Sequence, residues 1–192
     1  DGKPREETPE ILTVLESILR RDPNHPLANH LYIHLLDTSP HPEYALASAY
    51  RLSDLFPGAG HLVHMPSHLL LTLGDYEAVA RGNERAADAD RNYMNQTGIR
   101  ENIYTLVYYT HNLHMISRAR AEQGRFLEAM RAADQIAEHV GSAFHHMPMM
   151  KDYYMPHQYY VLLRFQRWDE ILKTPAPDAA MRMTNALWHY AR

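Results

Sequence analysis

The stretch HLVHMPSHLLLTLGDY, residues 61–76, returns at residues 111–126 as HNLHMISRARAEQGRF. Two histidines, a methionine, a serine, a glycine and an aromatic residue hold register throughout, as His61 and His111, His64 and His114, Met65 and Met115, Ser67 and Ser117, Gly74 and Gly124, Tyr76 and Phe126. A motif that recurs within one chain marks a repeat architecture, in which each unit buries its apolar face against the next. Both copies carry helical rather than alternating periodicity, so the repeated unit is a helix, a short break and a second helix.

The same grammar extends outward in both directions. Ile11, Leu12, Leu15, Ile18 and Leu19 form one apolar stripe, with Thr8 as N-cap, Pro9 at the first helical position and Asp22-Pro23 as the stop. Breaks are expected near 39–42, 57–60, 73–75, 95–98, 123–125, 141–148, 165–167 and 174–178. Val and Ile are sparse, while Ala, Leu, Met, Glu and Arg are frequent, which suits helices. The expected fold is all-α, with eight or nine helices and no sheet.

Composition narrows the function. The chain has 192 residues, close to the length of a single domain. Its net charge of −4 offers no basic excess for a phosphate backbone, so nucleic acid is not an expected partner. No apolar stretch reaches the length of a membrane span, and no secretory segment opens the sequence. The absence of cysteine removes disulfides, thiolate zinc sites and Cys nucleophiles together, and leaves the compartment open. Histidine is the anomaly: 14 of 192 residues, a share several times the usual one.

Gly124-Arg125-Phe126-Leu127-Glu128-Ala129-Met130 resembles the helix-turn-helix junction of a tetratricopeptide repeat, and Gly74-Asp75-Tyr76 and Gln166-Arg167-Trp168-Asp169-Glu170-Ile171-Leu172 look like the same junction. Whole motifs, AGHLVHMPSH at 59–68 and HNLH at 111–114, resemble signatures of a group of bacterial tetratricopeptide-like proteins. The resemblance implies a right-handed α-solenoid over residues 1–192. Its repeats run roughly 1–23 (second helix only), 24–57, 58–98, 99–141, 142–178 and 179–192 (first helix only). It also implies a piece of a longer chain, meeting the remainder of that chain or another copy through the cut ends. In this family the second, fifth and ninth positions of each first helix line a concave groove. His30 and His34, then His61, His64 and His68, then His111, His114 and Arg118 fall on those positions.

Residues at i, i+3 and i+7 lie within about 60° of one another on a helix. Imidazoles on one face of adjacent helices suit a transition metal, and a nitrogen-rich, carboxylate-poor set points to copper or zinc. The expected ligands are His34, His61, His64, His68, His111 and His114, in a mononuclear or dinuclear centre. Around them His30, Asp37, Tyr108, Asn112, Arg118, Glu122 and His157 are expected to line the groove or orient the ligands. Pro66 must either start a helix or kink one. An ion with an open position would make the chain a copper- or zinc-dependent oxidoreductase or hydrolase. The competing expectation is a scaffold that takes a peptide or small molecule in the groove, its histidines structural or pH-sensing. His145 and His146 are expected in a loop, as a lid over the groove or a weak surface metal patch.

Overall fold

The structure, a computed structural model, describes residues 3–143 and 147–192. Among the described residues, regular structure is helical and there is no strand. The first helices are α1 (Thr8–Arg21), α2 (Pro26–Leu36), α3 (Leu46–Leu55), α4 (Gly60–His64), α5 (Pro66–Leu73) and α6 (Tyr76–Thr97). They are followed by α7 (Thr110–Glu122), α8 (Phe126–Ala143), α9 (Pro148–Tyr154), α10 (His157–Arg164), α11 (Trp168–Lys173) and α12 (Arg182–Ala191). A 3-10 turn, Pro42–Ala45, precedes α3, and a π-helical turn, Tyr104–Tyr109, precedes α7. The segments outnumber the eight or nine expected because proline subdivides them: Pro66 opens α5, and Pro156 caps α10. At the start of α1 the cap position falls on Glu7, which makes no side-chain capping bond, and Thr8 is already helical. No helix among the described residues is long and apolar enough to cross a membrane.

Two compact units divide the chain at residues 90 and 91, within α6. The first is built on Ile33 and Leu36 of α2, Ala49 and Leu52 of α3, and Met65 and Leu69, with Ala45 closing the gap. Ile11, Val14, Leu27 and Leu31 of α1 and α2 remain exposed. In the second unit Ala121, Ala129, Ala133 and Val161 form one core cluster, and Leu162, Ile171 and Ala191 another. Small alanines at these contacts let helix axes approach closely, and Phe126 and Met130 fill the space between the two clusters.

Three junctions share one backbone geometry. Gly74, Gly124 and Gln166 adopt left-handed φ values of 84°, 75° and 54°. The next amide then donates five residues back: Asp75 to Leu70 at 3.0 Å, Arg125 to Arg120 at 2.9 Å and Arg167 to Leu162 at 2.9 Å. This Schellman closure satisfies carbonyls that a helix end otherwise leaves open. Tyr76, Phe126 and Trp168 start the following helices, and three residues later Val79, Ala129 and Ile171 are fully buried. The serines match too: Ser67 accepts from Asn83 Nδ2 at 2.6 Å, and Ser117 donates to the Ala129 carbonyl at 2.9 Å. Met65 and Met115 are both core residues.

Gln166 is the one junction residue with a side chain, and a left-handed residue other than Gly costs about 1–2 kcal/mol. Gln166→Gly should therefore stabilise the protein by about 0.5–1 kcal/mol, and Gly124→Ala should destabilise it by about 1 kcal/mol. Nothing lies within 4 Å of a Cβ at Gly124, so only backbone strain is at work there. Urea denaturation measures both, and the same sign for the two substitutions would contradict the junction geometry.

Candidate metal centre

Helix α2 presents His30 and His34 one turn apart on a face adjoining Ile33, which is buried in the core of the first unit. His61 and His64 come from α4 and His68 from α5. Pro66 has no amide to continue the first of these helices. Met65 N–H instead bonds the Leu62 carbonyl at 3.4 Å, and His68 N–H bonds Met65 at 3.3 Å, so the segment runs on with a kink. The kink keeps Met65 and Leu69 in the core while His61, His64 and His68 stay together on its flank.

Gly60 sets how closely this segment approaches α6. A Cβ there would lie 2.7 Å from the Ala86 carbonyl and closer still to the buried Asp90 carboxylate. Gly60→Ala should cost about 2–3 kcal/mol in urea denaturation, since a backbone atom blocks the added methyl. A neutral result would mean that α4 can shift without consequence.

Five imidazoles close a circuit. Ring centroids are 4.8 Å apart for His30 and His34, 4.9 Å for His34 and His68, 4.7 Å for His68 and His64, 5.4 Å for His64 and His61, and 5.0 Å for His61 and His30. Two pairs meet nitrogen to nitrogen: His30 Nε2 to His61 Nε2 at 3.1 Å, and His64 Nε2 to His68 Nε2 at 3.1 Å. Two nitrogens on one tetrahedral zinc, with bonds of about 2.0–2.1 Å, stand roughly 3.3–3.4 Å apart. Without an ion, each pair can be joined by one N–H···N bond, whose acceptor ring must be neutral. Coordination would replace that shared proton with a cation.

Behind the circuit Asp37 Oδ2 lies 3.3 Å from His34 Nδ1 and 3.6 Å from His68 Nδ1. At His34 an Nδ1–H directed at the carboxylate fixes the tautomer and turns the Nε2 lone pair outward, the arrangement that carboxylates give to metal-bound histidines. One donor atom each from His30, His34 and His61 lie within 4.8 Å of one another, and so do one each from His34, Asp37 and His68. His34 belongs to both groups. Burial and then the neighbouring His34 push the His30 pKa below its ordinary value, so His30 stays neutral and able to coordinate at lower pH. The His34 side chain is 38% exposed and forms the solvent edge of the circuit.

The remaining expected residues lie in the second unit. His111 and His114 share a face of α7 with ring centroids 5.9 Å apart, and His114 lies 4.4 Å from His157 of α10. His157 Nδ1–H donates to the Tyr154 carbonyl at 2.7 Å, leaving Nε2 as its acceptor. Burial lowers all three pKa values. For His114 it acts with the charges of His157, His111 and Arg118, and takes the group down to about 3. Asn112 is buried, Arg118 is exposed, and Tyr108 lies on the π-helical turn against Tyr104. Glu122 forms an ion pair with Arg164 at 2.6 Å, which assigns it to helix packing. His145 and His146 lie outside the described residues.

Two polar residues were not expected from sequence. The Asp152 carboxylate on α9 accepts from the amides of Met183 and Thr184, at 2.8 and 2.9 Å, and from the Thr184 hydroxyl at 2.8 Å, so it caps α12. Burial raises its pKa, but these donors outweigh burial and hold it below the ordinary carboxylate value. His139 Nε2–H donates to the Thr105 carbonyl at 3.2 Å inside the π-helical turn.

No protein-family model, curated protein or solved structure matches this chain.

Proposed function

We propose that this chain is a tetratricopeptide-like helical-repeat protein whose first unit binds a transition metal ion, copper or zinc, through histidines of α2, α4 and α5. The observation that carries the reading is the circuit of His30, His34, His68, His64 and His61, with two Nε2···Nε2 contacts of 3.1 Å and Asp37 behind it. Packing alone gives no reason for five imidazoles here, since apolar side chains fill the same volume without losing hydration. Nitrogen donors in excess of carboxylate favour copper or zinc over magnesium or calcium. The three Schellman junctions at Gly74, Gly124 and Gln166 support the repeat reading. Exposure of His34 gives water or dioxygen access to an ion in the circuit, which would support oxidoreductase or hydrolase chemistry.

Metal content tests the reading. Protein made without a His tag and dialysed against metal-free buffer should retain copper or zinc in stoichiometric amount, or regain it on titration. A chain that neither retains nor takes up either metal would overturn it.

A further inference from the structure

The second unit holds a cavity of about 460 Å³ that includes no residue of the proposed metal centre. Its walls come from Met130 of α8, Met155 between α9 and α10, Tyr159 of α10, Met181 just before α12, and the loop of residues 174–178. We propose that this cavity binds a primary amine in its ammonium form, carried on an aromatic body.

The lining selects the charge of the ligand. Among the described residues no Lys, Arg or His lines the cavity, whereas Glu170 and Asp178 do. Glu170 is taken up by an ion pair with Arg167. Asp178 forms no ion pair with a described residue, and its Oδ1 accepts the Ala180 amide at 2.9 Å. One negative charge therefore remains for a monocation. The hydroxyls of Thr174 and Thr184 already donate, to the Ile171 carbonyl at 2.7 Å and to Asp152 Oδ1 at 2.8 Å. What they still offer a ligand is oxygen lone pairs, which the N–H groups of an ammonium can use.

The rest of the wall selects the body. Three methionines face a ligand together with Tyr159, which is buried. Thioether sulfur packs favourably against an aromatic ring, and the flexible methionine side chain adapts to its outline. The loop is set before a ligand arrives. Trp188 Nε1 donates to the Thr174 carbonyl at 3.4 Å, Asn185 Nδ2 donates to the Asp178 carbonyl at 2.7 Å, and Pro175 and Pro177 fix φ between these anchors. Little ordering is then left to oppose binding. Asp178 is exposed, so the ammonium keeps part of its hydration while the aromatic body leaves water.

The probes are phenethylamine hydrochloride, phenethyl alcohol and sodium hydrocinnamate, which share an aromatic body and differ in the charge of the head. Each is titrated at pH 7 and constant ionic strength into the full chain carrying isotope-labelled methionine methyls, followed by NMR. Phenethylamine should shift the Met130, Met155 and Met181 methyls saturably. It should bind about fivefold more tightly than the alcohol, the upper range for an exposed ion pair, and hydrocinnamate should bind more weakly than either. Asp178→Asn keeps an oxygen for the Ala180 amide but removes the charge. It should bring the amine to the level of the alcohol and leave alcohol binding, which checks the fold of the cavity, unchanged. Methyl shifts that do not saturate would overturn the proposal. So would an alcohol or carboxylate that binds as tightly as the amine, or an Asp178→Asn protein that still prefers the amine.

Discussion

Replacing His34 with alanine should weaken copper or zinc binding by at least about a hundredfold. Changes to residues that merely orient a ligand already cost 10–100-fold in affinity. Within the first unit His34 is a donor in two groups that could hold an ion, with His30 and His61 on one side and with Asp37 and His68 on the other. Its side chain is 38% exposed, so truncation opens no cavity and helicity should be unchanged. Asp37→Asn keeps the volume but not the charge facing the two Nδ1 atoms, and should cost about tenfold. His41→Ala is the control, because His41 stacks on Tyr44 and bonds Glu43 away from the circuit. Competition against a chromophoric chelator measures all three. A His34→Ala protein within threefold of the parent would remove the circuit as the ligand set.

Acid should unfold the second unit through its buried imidazoles. His111, His114, His139 and His157 all have folded pKa values below the ordinary 6.5, and that of His114 falls to about 3. Between the folded and unfolded values the unfolded chain binds more protons, so stability drops as pH falls below 6.5. His114 alone should cost about 1.4 kcal/mol per pH unit, or about 2 kcal/mol by pH 5. The other three act in the same direction. His114→Gln removes one of these protons, so its stability relative to the parent should improve by about 2 kcal/mol between pH 7.5 and pH 5. Urea denaturation at the two pH values gives that difference directly, whatever the substitution costs at pH 7.5. An unchanged pH slope would show that His114 is not held neutral by the fold.

The helices and their junctions were legible in the sequence because the signals are local. Gly74, Gly124 and the aromatic residue two positions on announce a left-handed cap and a new helix within three residues. Gln166 was legible only by register, since nothing about glutamine itself favours a positive φ. Pro66 announced a disruption, but whether it would start a helix or kink one depended on the core contacts of Met65 and Leu69. The π-helical turn left no mark, because an i→i+5 pattern has no composition of its own. Asp152 was likewise silent: it caps a helix that begins 30 residues later in the chain, and its partners become neighbours only on folding.

For the site, helical spacing placed His61, His64 and His68 together, and Asp37 three residues after His34 was recognisable as an orienting carboxylate. His30 was expected only to line the groove or orient the ligands; its 3.1 Å approach to His61 makes it a member of the circuit. That closeness comes from two elements separated by 31 residues, and spacing along one helix cannot report it.

Thermal melting of chelator-treated, untagged protein, with and without added copper or zinc, tests the metal centre most directly. Binding to the folded state alone raises the melting temperature by mass action. Protons compete for imidazole nitrogen, so the increment should be present at pH 7.5 and vanish near pH 5. An increment at the higher pH that is lost at the lower one, and lost at both in His34→Ala, is the expected result. Melting that neither metal shifts at pH 7.5 would contradict the account and return the five histidines to packing.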